Sequence, residues 1–206
     1  MIFRLLIWLG LFAMLPSSAS AFQTDTVDPK TLKKLVGEGQ MVMIDEHSDG
    51  SLKLVTGATH VSSTPQEVWK IITNYAAYPE WMPQTSKVTV SNLNGAFRDV
   101  HYQLDFQFSV ITKRVEYTVR HQWTDNRRID WTLVDGDFQA AVGSWELVPI
   151  DDGAGTLVFF STYTDLESMG WIVKTLLKEQ PTMDIAIQGS TALMAVKAVK
   201  ERAESR

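Results

Sequence analysis

The sequence predicts an α+β protein in which one curved antiparallel sheet wraps a long C-terminal helix. Three observations predict it. Residues 86–165 carry successive runs of period-two alternation broken by turn residues. Residues 168–206 change to a helical period, interrupted only near Pro181. A capped amphipathic helix precedes the strands at Thr64, so the apolar face of the sheet has helices to close it.

Taken in order, the first element is an address. Residues 1–21 hold one charge, Arg4, then an apolar run from Leu5 to Leu15, Pro16, and the small-residue ending Ala19-Ser20-Ala21. This is the charged, apolar and A-x-A arrangement of a secretory signal peptide. The apolar run of 11 residues is too short to span a hydrocarbon core, which takes about 20. Export, most simply to a bacterial periplasm, and a mature chain beginning at Phe22 are the expectations.

Pro29 to Val36, stopped by Gly37, reads as a short helix. Met41–Glu46 and Ser51–Ser62 read as two strands joined by the turn His47-Ser48-Asp49-Gly50. Thr64-Pro65-Gln66-Glu67 supplies a cap residue, proline at the first helical position and the reciprocal glutamate; the helix should run to about Asn74. Tyr75, Tyr78, Trp81 and Met82 follow in a segment whose two prolines, Pro79 and Pro83, argue against regular helix. If exposed, these side chains could dip into a bilayer interface or gate a cavity, with Trp81 at the entrance.

The strands then succeed one another. Val88 and Val90 open the first, and Asn94-Gly95 turns it. Tyr102, Leu104, Phe106 and Phe108 share one face of the next, opposite His101, Gln103, Asp105 and Gln107. Val115, Tyr117, Val119, His121 and Trp123 share a face of the third, and Ile129, Trp131 and Leu133 of the fourth. Gln139–Pro149, with Trp145, and Thr156–Asp165, with Phe159 or Phe160 inward, complete the set. Ile185, Ile187, Leu193, Met194, Val196 and Val199 are the apolar positions of the final helix. Where the sheet curls away from that helix, the fold would enclose a cavity.

Composition narrows the functions. The net charge of −5 opposes nucleic-acid binding, which calls for a basic surface. With no cysteine, disulfides, thiolate metal sites, a cysteine nucleophile and lipoprotein attachment are excluded. No two histidines have metal-site spacing, and no phosphate-cradling glycine loop or serine nucleophile elbow surrounds Ser144. Asp135 and Asp137 flank Gly136, and Asp165 ends a strand, where such residues form turns. His121 is the sharpest candidate, a titratable ring on an apolar strand face.

Four stretches carry a resemblance. Thr64 to Tyr75, Tyr78-Pro79-Glu80-Trp81-Met82-Pro83, Gly136-Asp137-Phe138 with Gly143 to Pro149, and Gly155-Thr156-Leu157-Val158 through Asp165 together resemble the START-like superfamily, with its helix-grip fold, and within it the polyketide-cyclase and coenzyme Q-binding branch. The resemblance implies a START-like domain over 39–206, preceded by the signal peptide read above over 1–21 and an N-terminal segment with a short helix over 22–38. It implies a lipid, quinone or isoprenoid held in an internal cavity; no cofactor, metal or catalytic residue is expected, and the aromatic segment makes transient contact with a membrane surface a further expectation. The ligand-contacting residues expected are Tyr78, Trp81, Tyr102, Leu104, Phe106, Phe108, Tyr117, Val119, His121, Trp131 and Trp145, with His121 or Tyr117 orienting the ligand. Two alternatives stand beside this: a cyclase or aromatase using His121 with a carboxylate, and a ligand-free interaction module built on the N-terminal hairpin.

Overall fold

The computed structural model describes residues 28–205 apart from residues 38, 96 and 109–110, and without the side chains of residues 107, 108 and 111. The signal segment therefore lies outside the described residues. Helix α1 (Pro29–Val36) is followed by β1 (Gln40–Glu46), β2 (Leu52–Val61), α2 (Pro65–Ile72), a 3-10 turn (Tyr75–Ala77) and the single helical turn α3 (Tyr78–Trp81). Strands β3 (Thr85–Asn94), β4 (Phe97–Phe108), β5 (Ile111–Thr124), β6 (Arg128–Gly136), β7 (Ala141–Ile150) and β8 (Gly155–Thr164) lead to a 3-10 turn (Leu166–Met169), α4 (Trp171–Glu179) and α5 (Thr182–Glu204).

All eight strands form one sheet in the order β1-β2-β8-β7-β6-β5-β4-β3, every neighbouring pair antiparallel. The N-terminal hairpin thus extends the main sheet through β2 and β8. Helix α5 lies against the concave side. It sits directly on β2: a Cβ built on Gly57 would come 2.6 Å from the carbonyl oxygen of Ala192. Its C-terminal half buries Val196, Val199 and Ala203 against Val68, Ile71 and Ile72 of α2.

The cap of α2 forms as its residues dictate. The Thr64 hydroxyl accepts from the Glu67 backbone N–H, and the Glu67 carboxylate accepts from the Thr64 N–H at 2.9 Å. The helix stops at Ile72, two residues short of the sequence expectation; Thr73 still caps it in helical geometry, and Asn74, at φ −85° and ψ 68°, turns the backbone out of the helix. The aromatic segment beyond is helical rather than irregular. Pro79 falls in the first turn of α3, where a missing N–H costs nothing.

The convex side is covered too. Helix α1 sets Leu32 and Val36 on Ala58, Ile150, Leu157 and Phe159, and Lys33 pairs with Asp151 at 2.7 Å. Of the two adjacent phenylalanines in β8, Phe159 therefore points outward, beneath α1, and Phe160 inward.

Candidate functional site

Between the sheet and the N-terminal half of α5 is a cavity of about 130 Å³, partly open to solvent. Strand β4 contributes Tyr102, Leu104 and Phe106; β5 contributes Tyr117, Val119 and His121. Trp131 comes from β6, Trp145 from β7, Phe160 from β8, and Tyr78 from α3. Alternation delivers each of these to the same side of the sheet.

Two expected residues are not among them. Trp81 packs its ring edge-on against Tyr78, with centroids 5.0 Å apart, and sits among the core side chains around Trp69 and Tyr75 instead of lining the cavity. The turn of α3 presents Tyr78 to the cavity and carries Trp81 away from it. Phe108 belongs to β4, but its side chain is outside the described ones. Leu133 joins the cluster around Phe138 and Leu166 at the cavity's edge.

Sequence reasoning missed the other wall. Ile187, Gln188, Thr191, Met194 and Ala195 of α5 line the cavity, as do Phe138, Ala141, Thr162, Thr164 and Leu166. Gln188 is buried: its carbonyl accepts from the Thr164 N–H at 2.9 Å and its amide donates to Asp184 at 2.8 Å. The only signal in the sequence was a glutamine directly after Ile187, one of the apolar positions of that helix. The loop Met82–Thr85 closes the remaining side, and Gln84 there is both exposed and cavity-lining, which puts the opening beside it. Gln84 adopts the left-handed φ of 61° and is held by the Asp105 N–H, which donates to its carbonyl at 2.8 Å.

The lining is mostly aromatic, and register explains the arrangement. Tyr102 and Tyr117 are cross-strand partners and stack at 5.5 Å. His121 partners Trp131, stacked at 5.6 Å, and Trp131 continues to Phe160 at 5.4 Å. Trp131 reaches Phe160 by crossing β7 over Gly143, its register partner, which offers no side chain. The rings make one continuous apolar floor.

His121 is 2% exposed. Burial, assisted by the positive charge of Arg98, lowers its pKa to about 3, so the ring is neutral at ordinary pH. Its Nδ1 is hydrogen-bonded to the Tyr75 hydroxyl at 2.7 Å. Burial likewise pushes the hydroxyls of Tyr75, Tyr78, Tyr102 and Tyr117 up, keeping them protonated. The Tyr78 hydroxyl donates to the Ile72 carbonyl at 2.6 Å. Among the described residues no aspartate or glutamate lines the cavity, so the His121–carboxylate pair of the enzyme alternative does not form. Asp137 instead accepts from the Glu116 N–H at 2.8 Å, and Asp165 caps the turn at Glu167. Among the described residues no cluster of histidines and carboxylates is suited to a metal.

Residues 61–183 match the family described as polyketide cyclase/dehydrase and lipid transport. The chain belongs to that family. Its fold is that of START-like proteins. A STAR-related lipid transfer protein from Xanthomonas axonopodis superposes with a TM-score of 0.58 at 16% identity, over 81% of this chain and 94% of that one. The Zhui aromatase/cyclase from Streptomyces sp. R1128 does so with a TM-score of 0.58 at 16% identity, over 74% and 94%. A curated relative, "Ribosome association toxin RatA" of Vibrio cholerae, is 28% identical over 103 residues, 50% of this family member and 69% of the relative. Family and fold are together those of a START-like ligand-binding domain.

Proposed function

We propose that this START-like protein is exported and carries a hydrophobic small molecule, such as a lipid, quinone or isoprenoid, in the cavity between its sheet and α5. The observation that carries the reading is the aromatic floor of a cavity that is partly open to solvent, with Gln84 both exposed and lining it. Apolar burial there supplies about 25 cal/mol per Å² of ligand surface. A void of 130 Å³ accommodates one ring, comparable to an engineered cavity of roughly 150 Å³ that takes benzene, so a longer ligand requires the walls to part. The absence of a lining carboxylate among the described residues weighs against the cyclase alternative. The net charge of −5 likewise weighs against the ribosome association in the relative's name, since RNA is a polyanion.

Native mass spectrometry of the protein purified from its own host tests both halves of the proposal. The expected mass is that of a chain starting at Phe22 with one hydrophobic molecule released on activation. A full-length mass would remove the export half; a bare protein that also takes up no added probe would remove the carrier half.

A carrier must meet a bilayer. Trp171 and Ile172, 77% and 62% exposed, open α4, whose buried face packs with Phe106 and Ile187 beside the cavity. Tryptophan favours the membrane–water boundary. The protein should float with lipid vesicles, and Trp171→Ala with Ile172→Ala should lose most of that association. Equal flotation of variant and parent would place the contact elsewhere.

A further inference from the structure

Tyr75 is 5% exposed and sits with its ring edge against His121, centroids 5.4 Å apart. It does not line the cavity, yet it holds Nδ1 of His121, which does. The proton between Tyr75 and Nδ1 can lie on either side. If Nδ1 carried it, the Tyr75 hydroxyl hydrogen would need another acceptor, and none is within reach among the described residues. A buried donor left unpaired loses its hydrogen bond to water and gains none in return.

The surroundings of Tyr75 point the same way. Trp123 is a donor only, and its Nε1 has no acceptor within hydrogen-bond distance among the described residues. The Arg98 guanidinium lies 3.4 Å over the Trp123 ring, and its Nη1 is buried without a hydrogen-bond partner among the described residues. Both groups favour negative charge on the Tyr75 oxygen. Beside a cation a hydroxyl is favoured with its oxygen toward the charge and its hydrogen away from it, here toward Nδ1.

We infer that Tyr75 is a positioning residue that fixes His121 in its Nε2–H tautomer, so that the cavity presents a fixed hydrogen-bond donor and selects hydrophobic ligands bearing an uncharged carbonyl oxygen. Nε2 has no partner among the described residues, and the ring that carries it is sandwiched between Tyr102 at 6.2 Å and Trp131 at 5.6 Å. The Tyr102 and Tyr117 hydroxyls can rotate to give or take a hydrogen bond; Nε2–H only gives. A carboxylate would carry its charge into an apolar site at a large desolvation cost, whereas a ketone, quinone or ester oxygen would not.

This rests on the cavity being a ligand site, and the test separates the two. Acetophenone and ethylbenzene have nearly the same shape and differ by a carbonyl in place of a methylene. Wild-type protein should bind acetophenone about tenfold more tightly, the equivalent of one net hydrogen bond. Tyr75→Phe should reduce that preference to about twofold. In ¹⁵N NMR of the free wild-type protein, His121 should show a protonated Nε2 and a bare Nδ1, with the two forms mixing in Tyr75→Phe. A protonated Nδ1 in the wild type overturns the inference without needing any variant to fold. Equal binding of both probes overturns it while leaving the carrier reading standing; binding of neither removes the carrier reading and this inference with it.

Discussion

Gly143→Ala is expected to destabilise the protein by about 3 kcal/mol or more, a larger cost than most overpacked core positions carry. A methyl group there would overlap the Ser161 carbonyl oxygen and the Trp131 indole, whose Cε2 would stand 2.7 Å away. Neither neighbour can yield cheaply. Ser161 is backbone in the adjacent strand β8, and Trp131 is fixed between His121 and Phe160. Urea unfolding measures the loss, and near-ultraviolet circular dichroism should report the displaced indole. A variant as stable as its parent, with an unchanged aromatic spectrum, would show that the bare backbone of β7 is not what lets the floor close.

The second large effect is acid lability. The folded pKa of His121 is about 3 against 6.5 for the free side chain. The unfolded chain therefore holds the extra proton between those values, and stability rises with pH across that window. The contribution is fully present above about pH 6.5 and is lost as pH falls, at about 1.4 kcal/mol per pH unit. By pH 3 the loss reaches roughly 4–5 kcal/mol, comparable with the whole stability of a small domain. The groups around the ring are the neutral hydroxyls of Tyr75 and Tyr102, the Trp131 indole and the Arg98 cation; none of these offers the imidazolium a counter-charge. Asp99, whose carboxyl the bound Arg120 holds down to about 2, adds acid sensitivity of the same sign, but only below its ordinary value of 3.8. Urea titrations from pH 7 to pH 4.5 isolate the histidine. His121→Asn should be flatter across that range, whatever its stability at pH 7; a parallel slope in both proteins would contradict a buried neutral ring.

Much of this architecture could be read from single residues. Thr64-Pro65-Gln66-Glu67 announced α2, and the alternation of Tyr102, Leu104 and Phe106 announced the inward face of β4. These signals are local, so sequence carries them undiluted. Strand β8 shows where reading fails. Val158, Phe159 and Phe160 are apolar in succession because α1 buries the convex face as α5 covers the concave one. Two-sided burial erases the alternation that assigns a face. The partnership of Tyr75 with His121, 46 residues apart in the chain, has no local signature either. It follows from sheet curvature and the short helical turns that bring the aromatic segment beneath β5. Small residues such as Gly57 and Ala192 are silent until the fold shows them touching.

That contact between β2 and α5 also acts as a fulcrum. Beyond it, the helix's later turns are clamped to α2, while its earlier ones roof the void. From Ala192 back to Thr182 the lever is about 15 Å long, so a tilt of about 10° would lift its start by roughly 2.6 Å and would have to part Gln188 from Thr164. Room for a larger guest would come from that swing, with the far half of the rod staying put.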